Sequence, residues 1–158
     1  MQERMADVES ELGQFTVGVF QDVAWATTGL DALKRGGFPA ESITVLSKRG
    51  PEVAALIERA LGVSGAGLEL PAVGAVLARG PLVDALQGPA RDLSKLGLSG
   101  TLRRVGFQAH DGRIFEALVA RGGVLVAVRT EPRAADALQV LHSYGGGNAA
   151  IGAWLGRV

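Results

Sequence analysis

Five apolar residues in a row, Val124-Leu125-Val126-Ala127-Val128, follow a helical run that stops at Gly122-Gly123. A strand apolar at odd and even positions alike has no solvent face and belongs in the middle of a covered sheet. A related junction lies earlier. There Ala32-Leu33-Lys34-Arg35 runs into Gly36-Gly37, and Ile43-Thr44-Val45-Leu46 follows after a short loop.

The rest of the pattern fills in around these junctions. Residues 15–20 predict a first strand with Val17 and Val19 on one face. Asp22 predicts an N-cap, because its carboxylate can accept from the first turn's unpaired amides. Val23, Ala26, Leu30 and Leu33 then form one helical stripe, closed by Gly36 in a positive-φ conformation. Residues 43–47 predict a second strand. A helix over 52–61 follows, with Val53, Leu56, Ile57 and Ala60 on its inner face.

Residues 72–79, bounded by Pro71 and Pro81, read as a third strand, although their Ala and Leu content also permits a helix. Short helices are expected over 82–86 and on to Leu96, with breaks at Gly97 and Gly100 and a further turn over 101–105. Asp111 opens the helix that ends at Gly122. After the fourth strand, residues 132–144 predict a last helix with Ala134, Leu138 and Leu141 on one side.

The order strand–helix–strand–strand–helix–strand predicts an α+β fold. It is the ferredoxin-like split βαβ sandwich, with a helical insertion between the third strand and the second main helix. The competing arrangement is a small doubly wound parallel sheet. A ferredoxin-like sheet leaves one face uncovered, and that face predicts a homo-oligomer, a dimer or larger. The domain expected is 14–144, preceded by a flexible acidic segment over 1–13 and followed by a glycine spacer and apolar tail over 145–158.

Composition narrows the picture by exclusion. The chain has 158 residues, enough for one domain with a hydrophobic core of its own. Its formal net charge is zero, so no global field gathers nucleic acid or an anionic membrane. Cysteine is absent, which removes disulfides, thiolate metal sites and cysteine nucleophiles and fits a cytoplasmic location. Residues 1–13 lack the apolar core of a signal peptide. The longest apolar stretch, 68–86, is interrupted by Glu69, Pro71, Arg79, Pro81 and Asp84, so no membrane span is expected.

Three segments stand out together: Val17-Gly18-Val19-Phe20 before an alanine-rich helix and Gly37-Phe38, then Gly74-Ala75-Val76-Leu77-Ala78-Arg79-Gly80-Pro81-Leu82, then a helix ending Arg121-Gly122-Gly123-Val124-Leu125-Val126. Together they resemble the bacterial general stress and heat- or low-temperature-induced protein families of unknown function. The likeness covers most of residues 15–142. Family members often carry a longer glycine-rich apolar middle segment, which here is shorter and more charged. The resemblance implies a stress context and supplies no catalytic residues.

Motifs for chemistry fail individually. Gly62-Val63-Ser64-Gly65-Ala66-Gly67 follows a helix and lacks the Lys-Ser/Thr of a phosphate loop, so it reads as a flexible connector. Ser64 and Ser99 each sit one residue short of a nucleophile elbow. His110 beside Asp111 reads as a solvated or capping residue, and His142 as a favourable cation in a last helical turn. Two histidines and no cysteine argue against zinc. The expectation is therefore no cofactor, no metal, no nucleic acid and no enzymatic activity.

Two candidate binding regions remain. In the ferredoxin-like arrangement Asp22 and Trp25 meet Ser47, Lys48 and Arg49 at one sheet edge. Free helix amides and two cations there would hold an anion, with Trp25 walling a planar group. The second region is the tail, where Ile151, Trp154 and Leu155 form an apolar segment that docks on its own domain, a second subunit or a protein partner. The expected function is a non-enzymatic, stress-associated interaction domain working through the sheet face, insertion or tail. A small-molecule sensor or carrier is the alternative.

Overall fold

The computed structural model describes residues 15–129, 134–143 and 150–151. The N-terminal segment expected over 1–13 and the tail residues Trp154 and Leu155 lie outside them. The strands are β1 (Phe15–Phe20), β2 (Ile43–Lys48), β3 (Ala66–Leu70), β4 (Gly74–Arg79), β5 (Val124–Arg129) and β6 (Ala150–Ile151). The helices are α1 (Val23–Arg35), α2 (Pro51–Leu61), α3 (Pro81–Gln87), α4 (Asp92–Leu102), α5 (Ala109–Ala120) and α6 (Ala134–Ser143). The fold is α+β.

The strands form one sheet in the order β3-β4-β2-β5-β1-β6, and every neighbouring pair is antiparallel. That pairing rules out the doubly wound parallel sheet. Both split βαβ units exist: β1 and β2 are parallel across β5, and β4 and β5 are parallel across β2. The order differs from the ferredoxin-like one, in which the first and third expected strands would be central. Here the second and fourth, β2 and β5, hold the centre.

The cover explains the difference. Val17, Val19, Leu46, Val76, Leu125 and Ala127 face a cluster supplied by α3, α4 and α5. Val45, Val124, Val126 and Val128 face the opposite cluster, supplied by α1, α2 and α6. The expected uncovered face therefore does not exist, because the chain covers both faces itself. The second crossover starts from an oppositely directed strand and moves the opposite way across the sheet. On one face the two crossovers would share a hand; on opposite faces their hands are opposite.

Local chemistry sets the entry to each central strand. At the end of α5 the amides of Gly122 and Gly123 donate to the carbonyls of Val119 and Leu118 (both 2.9 Å), a Schellman closure. Gly122 takes φ +100. The end of α1 repeats it, with Gly37 donating to Lys34 and Phe38 to Leu33. The residue in the left-handed conformation is Gly37 (φ 92), not Gly36, which stays helical (φ −76). Phe38 then packs into the α1–α2–α6 core.

The insertion departs from expectation in its breaks. Gly97 (φ 85) interrupts α4 while Gly100 does not, and Arg103–Val105 adds a short 3-10 turn. After the Gly97 break the Ser99 amide donates to Glu116 Oε2 of α5 at 3.1 Å, which caps the second half of α4. The expected connector over 62–67 contributes its last two residues to β3, and of the strand expected over 72–79 residues 74–79 form β4, while Ala72 and Val73 belong to the turn before it. Among the described side chains of α6, Ala137 and Leu141 are buried and Leu138 is half-buried, while the expected Ala134 lies outside them.

Three glycine substitutions separate backbone from packing. A Cβ at Gly122 meets nothing within 4 Å, so Gly122→Ala loses about 1–2 kcal/mol through its φ alone. A Cβ at Gly29 falls 2.4 Å from the Phe20 ring, so Gly29→Ala loses about 1–3 kcal/mol by overpacking. Gly36→Ala is near neutral, since its φ suits alanine. Urea unfolding ranks the three; equal stability of G122A and G36A would contradict the assignment.

Candidate functional site

The edge anticipated from sequence is assembled only in part. β1 and β2 do end on the same side of the sheet, on either side of the start of β5. Asp22 caps α1, and its Oδ1 accepts from the Trp25 amide at 2.9 Å. That carboxylate takes an amide an anion would need and adds a repelling charge. Trp25 is 46% exposed rather than walling a pocket. Ser47 is buried, and its hydroxyl donates to the Gly123 carbonyl at 3.0 Å. It is a strut between β2 and the start of β5.

The two cations leave this edge in different directions. Lys48 stands opposite Val76, on the α3–α5 side of the sheet, whereas Trp25 belongs to the helix on the other side. The Arg49 guanidinium reaches away across β4 to lie over Gly67 of β3, where a Cβ would sit 2.8 Å from Nη2. The five residues do not converge on one ligand. In the tail, Ile151 belongs to β6 and pairs with Thr16 of β1, with Ala150 opposite Val17. This part of the tail docks on its own domain.

A groove of about 660 Å³ lies at the opposite end of the sheet. Arg79 ends β4 opposite Val45, Arg129 ends β5 one residue past the Ile43↔Val128 pair, and both line the groove at the start of β2. Antiparallel pairing explains the meeting: two strands that each run against β2 must both finish beside its beginning. Arg129 is held over the Phe15 ring, 5.8 Å from its centroid. Leu61 lines the groove from the end of α2, and Glu41 and Asp84 add two carboxylates to the two guanidinium groups. Gly80, in the groove lining, packs directly on the buried Thr44 and leaves no room there for a Cβ. The Thr44 Oγ1 accepts from the Leu82 amide at 2.9 Å, both groups being buried.

Sequence reasoning missed this groove. The available signal was that β4 and β5 both close on arginine; what was lacking was the strand order that makes them neighbours of β2. Among the described residues no group of three or more His, Asp or Glu is placed to hold a metal ion, and no helix is long and apolar enough to cross a membrane. Comparison with protein-family models, curated proteins and solved structures returns no match.

The buried hydroxyl gives a direct check on the Ser47 assignment. Ser47→Ala leaves the Gly123 carbonyl without its side-chain donor and loses about 1–2 kcal/mol of stability. Thermal and urea unfolding measure the loss. An unchanged stability would show that Ser47 is no strut.

Proposed function

We propose that this chain is a non-enzymatic, stress-associated interaction domain that self-associates and binds a protein partner through its helical surface and sheet edges. The observation that carries the reading is Trp25, a large aromatic residue 46% exposed in the first turn of α1. Tryptophan is enriched among residues that anchor protein interfaces, where its ring offers area at small entropic loss. Because both sheet faces are already covered, the sheet-face mode of binding drops out, leaving helices and edges. The stress association rests on the sequence resemblance alone.

A photo-crosslinking amino acid at position 25, introduced in the native host, tests the reading. A discrete adduct is expected at position 25 and not at the exposed position 113 of α5. Identical adduct patterns at the two positions would overturn it.

The arginine-flanked groove supports a second reading, a carrier or sensor of a small anionic ligand. Two guanidinium groups at one end of a rigid sheet suit carboxylate or phosphate recognition. Native mass spectrometry of gently purified protein is expected, on this reading, to show excess mass that disappears on denaturation. The Arg79→Ala/Arg129→Ala double variant loses that excess. A bare chain mass, or an integer multiple of it, in the unsubstituted protein would reject the carrier.

A further inference from the structure

Among the described residues the sheet ends on the two-residue β6 at one edge and on the five-residue β3 at the other. Beside β1 the short β6 supplies Thr16↔Ile151 and Val17↔Ala150. At the other end β3 pairs only with β4. Its five residues, Ala66-Gly67-Leu68-Glu69-Leu70, contain neither the proline nor the lysine with which edge strands are commonly blocked.

The ladder fixes which groups look outward. The Arg49 amide donates to the Ala75 carbonyl at 3.0 Å, so Ala75 directs its backbone groups toward β2. In an antiparallel strand the direction alternates, and Val76 therefore turns to β3, where it faces Leu68. Leu68 spends its backbone groups on β4. Gly67 and Glu69, on either side, direct theirs away from the sheet.

Side chains add a second constraint. Leu68 points to the α3–α5 side and packs at the rim of that core. Gly67 and Glu69 face the other side, where Arg49 lies over Gly67. Glu69 is exposed, and neither Arg49 nor Glu69 has a salt-bridge partner among the described residues.

We infer that two copies of this chain join through β3, antiparallel about a two-fold axis at Leu68, and this rests on the self-association read above. In that register Gly67 faces Glu69 of the second copy, and both are outward-directed, as a hydrogen-bonded pair requires. Symmetry repeats the pair and gives four inter-chain backbone bonds. Leu68 faces Leu68 of the second copy as the close, non-hydrogen-bonded pair, joining the two cores at their rims. Each Glu69 stands over the second copy's Gly67, beside the guanidinium already resting there. Opposite charges meet twice across one axis. The register with Glu69 opposite Glu69 sets like charges face to face. That with Gly67 opposite Gly67 leaves Glu69 against Gly65, away from the arginine. Five residues per strand make a small interface, so the dimer dissociates readily on dilution.

Sedimentation equilibrium of the full chain over a concentration series tests this with Arg49→Glu, Glu69→Arg and the double charge swap. Each single change places like charges at both symmetric positions and weakens dimerisation by about 10- to 100-fold. The double swap restores it. Amide exchange gives a readout free of substitutions: in the unsubstituted protein Gly67 and Glu69 gain protection as concentration rises. A dimer indifferent to both single changes, with no such protection, overturns the β3 interface and leaves self-association standing. A chain monomeric at every concentration overturns the self-association itself.

Discussion

β5 is the constraint from which the rest of the architecture follows. Val124 to Val128 are all buried, with alternate residues in two separate cores. Such a strand cannot sit at an edge, nor in a sheet with one wet face. Its backbone needs partners on both sides, which β1 and β2 provide, and its side chains need a layer above and a layer below. The Schellman turn at Gly122 and the Ser47 strut to Gly123 fix where this strand begins. A Cβ at Gly123 would meet the Leu118 carbonyl oxygen and a Val19 methyl at 2.8 Å, so helix end, β1 and β5 are locked at one point.

What the sequence made legible was local. The helical stripe of α2 is the buried set that was read from spacing, and Asp22 makes the cap its position implied. The both-face burial of β5 was legible too, and it contradicted the one-faced sheet with which it was combined. β3 was missed because Ala66-Gly67-Leu68-Glu69-Leu70 has no β-branched or aromatic residue and follows a glycine-rich link. Its strand character comes from pairing with β4, a tertiary effect that propensity does not report. Strand order was not legible at all. It depends on which face the insertion helices cover, and that depends on packing between elements far apart in the chain, as Leu98 and Phe115 pack with Val17, Val76 and Leu125.

The same distinction governs the candidate sites. Asp22, Trp25, Ser47, Lys48 and Arg49 were grouped because two parallel strands must end together, and they do. Strand ends fix backbone position; the parity of each residue fixes the side to which its side chain goes. Lys48 and Arg49 are consecutive, so they leave β2 toward opposite sides, and Ser47 turns inward to a carbonyl. Arg79 and Arg129 both line the groove at the other end because β4 and β5 share β2 as a neighbour and finish near its start. By the same parity they leave the sheet toward opposite sides, Arg79 with Val45 and Arg129 with Phe15.

Closing both faces also determines where this domain can meet other molecules. An antiparallel sheet with helices above and below has no apolar plane left to offer, so its remaining unsatisfied valences are directional. They are the backbone groups of an edge strand, the charges at strand ends and side chains on helix exteriors. Directional groups discriminate by register and charge rather than by area. A glycine in an edge strand is informative here. Gly67 leaves a gap in the side-chain row, and the gap is filled by an arginine from two strands away, which puts a positive charge on the same edge as the exposed carboxylate of Glu69. The charge therefore sits where a neighbouring strand would bring its own side chains, and the edge is selective for a strand that carries a carboxylate at that position.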